Sequence, residues 1–348
     1  MNDLPLQPLR WMGDAATGRL LLVDQTRLPH ELVELSCADA ATLHEAIRAL
    51  RVRGAPSIGM AAAHGLVLAL QSARQLDLAA FRTELAACAA ALVGTRPTAV
   101  NLHWAVRTVA EAAQGSSAAT CHEAMHAAAC KIETDQQARS AAMAAAGTAL
   151  LAHGERILTI CNAGPLAAGG LGSALGVVLL AAQRGLAPTV WACETRPLLQ
   201  GARLTAFEMS RAGIPVTVLA DSAAAQLMAR GLVSRVLVGA DRIARNGDTA
   251  NKIGTYALAL AAAAHGLPFH VVAPLSTCDP DIPDRRGIPV EERAAEEVLH
   301  FQGLPVAASG AAAINPAFDI TPAHLITSFI TERGVVAPAG LAALLATR

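Results

Sequence analysis

The 348-residue sequence predicts an α/β protein: a mostly helical N-terminal domain with a small β-sheet, followed by a C-terminal domain built on a parallel β-sheet. Helical periodicity dominates between about residues 39 and 150, where the segments are rich in Ala and Leu. After about residue 155, short apolar runs alternate with helical segments, as in a parallel sheet covered on both faces. We therefore predict a first domain of residues 1–125 and a second, Rossmann-like domain of residues 126–348.

Local signals place the individual elements in chain order. Residues 19–24 form a short apolar run that predicts a strand of the N-terminal sheet. Asp39 is suited to cap the first helix, and the helical region is interrupted at three glycine-containing points, namely residues 54–56, Gly94 and residues 115–117. In the second domain, five apolar runs predict strands at residues 156–161, 189–193, 216–219, 235–238 and 269–273.

Composition argues against several classes of partner. The formal net charge of -1 gives no basic footprint for nucleic acid or an anionic membrane. Polar residues interrupt the apolar runs before they reach the length of a membrane span, and the first residues lack the pattern of a signal peptide. We therefore expect a cytoplasmic protein with neither nucleic-acid nor membrane partners.

Cysteine and histidine spacing gives no sign of a metal. The seven cysteines are an odd number without a Cys-x-x-Cys pair, and the eleven histidines contain no His-Glu-x-x-His motif, so we expect neither disulfides nor a metal. Gly170, Gly172 and Gly176 resemble a dinucleotide fingerprint, with Glu194 near the ribose-binding position. Their spacing is GxGxxxG and begins nine residues after Cys161, too late for a phosphate turn, so we expect close helix packing there.

Polar groups follow each predicted strand of the second domain. In open α/β sheets the ligand crevice lies outside the carboxyl ends of the strands, so we expect these groups to converge on one edge. They lie at residues 161–162, 194–196, 221–222, 241–242 and 274–276.

The segment from Gly239 to Tyr256 is the most informative, because an apolar run ends there in what we predict to be a polar, glycine-punctuated loop. It contains Lys252, one of only two lysines in a chain that otherwise uses Arg. An ammonium is a compact charge suited to a phosphate or a reacting oxygen. The alternative is a lysine on a solvated loop.

Eight segments spread along the chain form a recognisable set of motifs. They are residues 51–59 (RVRGAPSIG), 96–105, 159–164, 194–206 (ETRPLLQGARLTA), 241–254, 273–277, 288–293 and 315–322. Together they resemble the S-methyl-5-thioribose-1-phosphate isomerase family, which is related to other sugar-phosphate isomerases and to the regulatory subunits of the translation initiation exchange factor. Matches run in order from about residue 10 to 335, and the set is specific because many motifs occur in register.

The resemblance implies conversion of methylthioribose 1-phosphate to methylthioribulose 1-phosphate in methionine salvage, by a homodimer that needs no cofactor. It implies Asp241 as general acid and Cys161 as a group that assists hydrogen transfer. Taken alone, Asp241 also fits a helix cap or an ion pair with Arg242, and Cys161 fits a small buried apolar side chain.

The resemblance also implies the residues that bind the substrate. Arg53, the amides of Gly54 and Ala55, and Arg96 match the family's binding positions, and an Arg fork beside glycine amides suits a phosphate dianion. Gln200, Asn251 and Lys252 match positions that hold hydroxyls or phosphate oxygens. Met60, Leu102 and Trp104 are candidates for the methylthio pocket only because they lie nearby in sequence.

Two alternatives remain open at this level. A related isomerase of another ribose phosphate would keep Cys161 and Asp241 and differ in its pocket. A non-enzymatic regulatory subunit of the exchange-factor type should have lost that pair, which this chain keeps. The sequence does not distinguish proton transfer through an enediol from hydride transfer.

Overall fold

The computed structural model describes residues 6–96, 99–301 and 303–346. The chain divides into two compact units. The N-terminal unit extends to Ala141 and also includes Gly164–Gly172, and the C-terminal unit comprises Ala142–Ala163 and the chain from Ser173 onward. Both this division and the boundary expected after residue 125 fall within one helix, Ala118–Thr148.

The N-terminal unit contains a small sheet and the main helical region. Its three antiparallel strands, in the order β1-β2-β3, are β1 Leu9–Met12, β2 Arg19–Val23 and β3 Glu34–Cys37. Its long helices are α1 Ala40–Arg48, α2 Ala55–Ala69, α3 Leu78–Val93, α4 Val100–Glu111 and α5 Ala118–Thr148, although α5 ends in the other unit. As expected, Asp39 caps α1, its carboxylate accepting a hydrogen bond from Thr42 N at 2.8 Å.

The C-terminal unit alternates strands and helices. Its first half contains β4 Arg156–Thr159, α7 Ala174–Gln183, β5 Thr189–Cys193, α8 Ala206–Arg211, β6 Val216–Leu219, α9 Ala224–Ala229 and β7 Arg235–Val238, while the short helix α6 Pro165–Ala168 lies in the segment assigned to the N-terminal unit. Its second half contains β8 Arg242–Ala244, β9 Thr249–Lys252, α10 Thr255–Ala264, β10 Phe269–Val272, β11 Cys278–Asp279, α11 Glu296–Leu299, β12 His300–Phe301, β13 Leu304–Pro305, β14 Phe318–Thr321, β15 Ser328–Thr331, β16 Gly334–Val336 and α12 Pro338–Ala346.

Seven strands form the main sheet, in the order β16-β15-β10-β7-β4-β5-β6. All neighbours are parallel except β15 and β16, which makes this a doubly wound sheet with an antiparallel edge. Its central strands are apolar and almost fully buried because helices cover both faces. From β4 the chain builds outward through β5 and β6, and it then returns to β7 on the other side of β4. The reversal between β4 and β7 is the topological switch point, where such sheets bind ligands.

The predicted fold class is confirmed, and all five strands expected in the second domain are present. The loop expected between Gly239 and Tyr256 is wrong, because β8 and β9 form an antiparallel hairpin there. This hairpin belongs to a second sheet in the order β11-β8-β9-β14. The sequence Thr-Ala-Asn-Lys of β9 has no apolar alternation, so a strand is not recognisable there. Its outer partner β14 follows more than sixty residues later, so the pairing of the two strands is not a local signal either.

None of the helices in the described part of the chain combines the length and apolar character that a bilayer-spanning helix needs.

Candidate active site

Two loops approach each other at the switch point of the main sheet. The loop after β4 carries Cys161, and the loop after β7 carries Gly239 and Asp241. A Cβ atom on Gly239 would lie 3.1 Å from Cβ of Ala163. The two loops therefore approach within van der Waals contact, and the two residues expected to be catalytic follow the strands that border the switch point.

Cys161 has an unusual backbone conformation. Its φ is +63°, in the left-handed region, and only 7% of the residue is exposed. Cys161 N donates to the hydroxyl of Thr195 at 2.8 Å, and Cys161 O accepts from the hydroxyl of Thr205 at 2.6 Å. Both backbone groups are therefore satisfied by side chains where the β4 ladder has ended. Burial also agrees with the simpler interpretation of a buried thiol, so burial alone does not assign a role.

The ends of β4, β5 and β6 are joined by hydrogen bonds, as the convergence of strand ends predicts. After β5, the amides of Thr195 and Arg196 donate to the two carboxylate oxygens of Asp221, at 2.8 and 2.7 Å. Thr195 Oγ1 in turn donates to Cys193 O at 2.9 Å. Beside Cys161, the side-chain Nδ2 of Asn162 donates to the buried carboxylate of Glu208.

Asp241 is half-buried at the start of the β8–β9 hairpin. Its N–H donates to Ala250 O at 2.9 Å, and the register pairs Arg242 with Ala250. Extending this antiparallel register by one residue puts Asp241 opposite Asn251. The neighbouring Arg242 forms an ion pair with Asp279 at 3.7 Å.

The turn that follows β9 reaches the end of β4. A Cβ atom on Gly254 would lie 2.8 Å from Cδ1 of Ile160, the residue before Cys161. Asp241 and Asn251 therefore lie on a hairpin whose two ends both contact the segment after β4. This geometry brings the neighbourhoods of Cys161, Asp241 and Asn251 together from distant parts of the sequence.

Lys252 and Asn251 are buried on β9. Lys252 is 9% exposed, its ammonium donates to Ala317 O at 2.9 Å, and it lies 5.0 Å from the ring centroid of Phe318. The alternative of a lysine on a solvated loop is therefore wrong. Asn251 is 5% exposed and its Nδ2 donates to the Thr255 hydroxyl at 3.0 Å.

Asp319 lies opposite Asn251 on the neighbouring strand β14. Burial raises the pKa of its carboxyl to about 6, although the N–H groups of Gly254 and Tyr256 donate to it at 2.7 and 3.1 Å. The side chain therefore sits at the N-terminus of α10, where a negative charge is favourable. The sequence placed Asp319 in a matching motif but gave it no role.

Gln200 is buried directly before a single turn of π-helix, Gly201–Thr205. Among the residues that the structure describes, no hydrogen-bond partner reaches its Oε1 atom. A buried amide oxygen without a partner is costly, and a ligand hydroxyl would satisfy it.

The remaining predicted binding residues belong to the N-terminal unit. Gly54 has φ +93° and precedes α2, and a Cβ atom there would lie 2.3 Å from Ala167 O, so only glycine fits. Ala55 opens α2, whose N-terminus is not capped by any described side chain. Arg53 and Arg96 are half-buried on either side of this region in sequence.

The methylthio candidates lie in or against the core of the N-terminal unit. Met60 and Leu102 are 2% and 0% exposed, and Trp104 packs partly buried against the same cluster. They contribute to packing, and the structure gives no separate support for a ligand pocket at these positions.

The glycine segment that resembles a dinucleotide fingerprint packs closely, as expected. A Cβ atom on Gly170 would lie 2.1 Å from Oγ of Ser140 on α5. Within the described ranges, no group of three or more His, Cys, Asp or Glu residues is arranged to hold a metal ion.

Comparison with known proteins identifies the family. The model described as Initiation factor 2 subunit family matches residues 51–338. Methylthioribose-1-phosphate isomerase of Pelotomaculum thermopropionicum is 50% identical over 336 residues, which cover 96% of this chain and 92% of that protein. 5-deoxyribose 1-phosphate isomerase of Moorella thermoacetica is 47% identical over 337 residues, which cover 96% and 95%.

Solved structures agree in fold. The 5-methylthioribose 1-phosphate isomerase of Pyrococcus horikoshii OT3 has a TM-score of 0.88 at 38% identity, covering 99% of this chain and 96% of that one. A structure described as translation initiation factor eIF-2B, subunit delta, from A. fulgidus has a TM-score of 0.86 at 39% identity, covering 96% and 97%. The chain therefore belongs to the Initiation factor 2 subunit family.

Within this family the chain is an enzyme, an isomerase that interconverts an aldose and a ketose, and the predicted resemblance is confirmed.

Proposed function

We propose that the enzyme converts S-methyl-5-thioribose 1-phosphate to S-methyl-5-thioribulose 1-phosphate, a step of methionine salvage. The relatives named for this substrate support the proposal, and one observation carries it for this chain. That observation is the placement of Cys161 and Asp241 beyond the two strands that border the switch point. An acid and a thiol on two contacting loops suit a reaction that moves one hydrogen between adjacent carbons.

The substrate fixes what the first step requires. An ordinary aldose opens to a free aldehyde, but the 1-phosphate locks the anomeric carbon of this sugar. The bond between C1 and the ring oxygen breaks only when that oxygen receives a proton. Asp241 supplies this proton, since its half-buried side chain follows β7 at the crevice of the main sheet.

The second step transfers hydrogen from C2 to C1. In a proton route, a base removes the C2 proton to give an enol of C1 and C2, which is then protonated at C1 while the C2 hydroxyl loses its proton to leave the C2 ketone. In a hydride route, C2–H moves with its electron pair to C1, and the C2 hydroxyl loses its proton. Cys161 assists either route, as the base at C2 or as a group that stabilises the developing charge.

Seven residues that match the family's binding positions are assigned to the substrate. Arg53, the amides of Gly54 and Ala55, and Arg96 bind the phosphate, supported by the uncapped N-terminus of α2 among the described residues. Gln200, Asn251 and Lys252 bind the sugar hydroxyls or the phosphate. The buried Oε1 atom of Gln200 supports this assignment most directly.

The experiment that tests the function compares two substrates. Purified enzyme receives either methylthioribose 1-phosphate or 5-deoxyribose 1-phosphate, and ketose formation gives kcat/KM for each. We expect a higher value for the methylthio sugar. Preference for the deoxy sugar would reassign the substrate to that of the Moorella relative, and no turnover of either would remove the proposal.

The same reaction in deuterated water distinguishes the two routes. Deuterium found at C1 of the product by mass spectrometry supports proton transfer. A product without deuterium supports hydride transfer.

We further propose that the enzyme works in the cytoplasm as a homodimer and needs no cofactor. Light scattering coupled to gel filtration measures the mass directly, and a mass of one chain would contradict the dimer. Activity that survives dialysis against a chelator is expected, and its loss would contradict the absence of a metal.

A further inference from the structure

We infer that Thr195 and Thr205 are positioning residues whose hydroxyls hold Cys161 in its left-handed backbone conformation. The inference rests on the proposed role of Cys161 in the isomerase reaction. It names two residues that act through Cys161 and contact no reacting atom.

Geometry carries the inference. The Thr195 hydroxyl accepts from Cys161 N at 2.8 Å, and the Thr205 hydroxyl donates to Cys161 O at 2.6 Å. Both threonines are fully buried. The only two backbone hydrogen-bonding groups of Cys161 are therefore held by side chains from two other segments of the chain. We call this arrangement the threonine clamp.

The clamp opposes a real backbone preference. The left-handed region is unfavourable for a residue other than glycine, so Cys161 persists at φ +63° only where its surroundings enforce it. Removing either hydroxyl leaves a buried backbone group without its partner and removes part of that enforcement.

Each threonine is itself held in place. Thr195 also has a positive φ, of +69°, and its N–H donates to Asp221. Thr205 ends the single π-helical turn Gly201–Thr205, and such turns are frequent at functional sites. The Thr205 hydroxyl also accepts from Asn162 Nδ2 at 3.3 Å, which links it to the residue after Cys161. Hydrogen bonds from the ends of β5 and β6 and from the turn before α8 therefore restrain Cys161.

Substitution by valine removes each hydroxyl at nearly constant shape. For Thr195→Val and Thr205→Val we expect kcat to fall about 10- to 100-fold, since an error of about 1 Å in a reacting group costs up to about 10²-fold. KM should change less than about threefold, because the clamp binds no substrate. Thr195→Ser and Thr205→Ser keep the hydroxyl and should retain kcat within a few-fold.

Thr148→Val is the matched control. Thr148 is also buried in the C-terminal unit, and it donates its hydroxyl to a backbone carbonyl at 3.1 Å, but that carbonyl belongs to Val177 of α7 and not to Cys161. It should lower the melting temperature as the clamp variants do and leave kcat unchanged. If Thr195→Val does not fold, Thr205→Val and the two serine variants still provide the comparison.

Alkylation of Cys161 by iodoacetamide, followed peptide by peptide in the absence of substrate, separates the clamp from the function. Loosening residue 161 should raise its alkylation rate at least about fivefold in both valine variants and not in Thr148→Val. If the wild-type enzyme turned over neither sugar phosphate, the proposed function would be refuted. The alkylation rates would still test the clamp. Valine variants that match Thr148→Val in kcat and in alkylation would overturn the clamp, as would serine variants as slow as the valine ones.

Discussion

The two edges of the seven-stranded sheet are built on different principles. At the amino edge, where β4, β7, β10 and β15 begin, charged and polar side chains bind one another. Arg235 contacts His270 Nε2 at 2.8 Å and Glu155 Oε1 at 3.1 Å, and His270 Nδ1 contacts the hydroxyl of Ser328 at 2.8 Å. Most of the polar atoms here have protein partners, apart from the Nε atom of Arg235.

The carboxyl edge differs, because it contains residues with an unfavourable backbone conformation and a buried hydrogen-bond acceptor without a described partner. In the described part of the chain, five residues other than glycine have positive φ, and three of them follow β4 or β5, namely Cys161, Thr195 and Leu199. Gln200 adds a buried oxygen without a described partner. Residues held in such conformations cluster at functional sites, because the surrounding structure must enforce what the local sequence disfavours. Paired side chains therefore stabilise the sheet at the amino edge, whereas the carboxyl edge combines the strained backbone and open acceptor that are typical of binding sites.

The largest expected effect comes from Asp241→Asn. The amide has the same shape but cannot deliver a proton, so kcat should fall by roughly 10²–10⁴-fold while the melting temperature stays nearly constant. Steady-state kinetics and thermal unfolding measure both. A variant that keeps more than about a tenth of the wild-type kcat would refute the general-acid role.

Asp248→Asn is the control on the same hairpin. Burial opposes ionisation of Asp248, but hydrogen bonds from Asn246 Nδ2 and the amides of Ala323 and Arg285 outweigh it and hold its pKa below the ordinary value. The variant should lose about 1–3 kcal/mol of unfolding free energy and keep kcat in the folded enzyme. Asp241→Asn should therefore lose activity and keep its stability, whereas Asp248→Asn should lose stability and keep its activity.

Cys161→Ser should lower kcat by about 10²-fold without changing the melting temperature, if the thiol assists hydrogen transfer.

Cys193→Ser is the control variant, since Cys193 lies at the end of the next strand, β5. Cys193 is fully buried, and burial raises the pKa of its thiol to about 12, so we expect lower stability, normal kcat and no alkylation. Substrate should protect Cys161 from alkylation in the wild type. An active Cys161→Ser enzyme with unprotected Cys161 in the wild type would leave Asp241 as the sole catalytic candidate.

Two arginines extend the comparison to the N-terminal unit. Arg53→Ala should weaken substrate binding by about 1.5–3 kcal/mol, the value of a charged hydrogen bond, and should abolish competition by inorganic phosphate. Arg51 lies two residues earlier and forms ion pairs with Asp24 and Glu45, which raise the pKa of its guanidinium. Arg51→Ala should lower stability and keep KM. Equal inhibition of wild type and Arg53→Ala by phosphate would show that Arg53 does not hold the phosphate.

The sequence predicted what local patterns encode. The central strands β4, β7 and β10 are largely apolar because both of their faces are buried, so their runs stand out in the sequence. The position of Cys161 and Asp241 at strand ends followed from the same runs. The hairpin β8–β9 did not, because Ala250 and Asn251 pair with a strand far along the chain. The roles of Thr195 and Thr205 depend on a left-handed backbone at residue 161, which no spacing of residue types records.

The smallest effect concerns the amino edge and should leave catalysis at pH 7 unchanged. Burial, together with the charge of Arg235, lowers the pKa of His270 to about 4, well below its ordinary value. Between about pH 6.5 and 4 the unfolded chain binds a proton at this histidine and the folded chain does not, so the unfolding free energy decreases as the pH falls, by up to roughly 3 kcal/mol.

His270→Gln removes that titration, so the stability of the wild type relative to the variant should decline steadily as the pH falls through this window. Urea unfolding of both proteins at pH 7, 5.5 and 4.5 measures the difference in unfolding free energy. Both proteins contain the same carboxylates, so the contribution of these groups drops out of the difference. A difference that is constant with pH would mean that His270 has the same pKa in the folded and the unfolded chain and therefore takes up a proton in the folded enzyme at low pH. The amino edge would then hold an unrelieved charge beside Arg235, and the contrast between a paired edge and a strained one would fail.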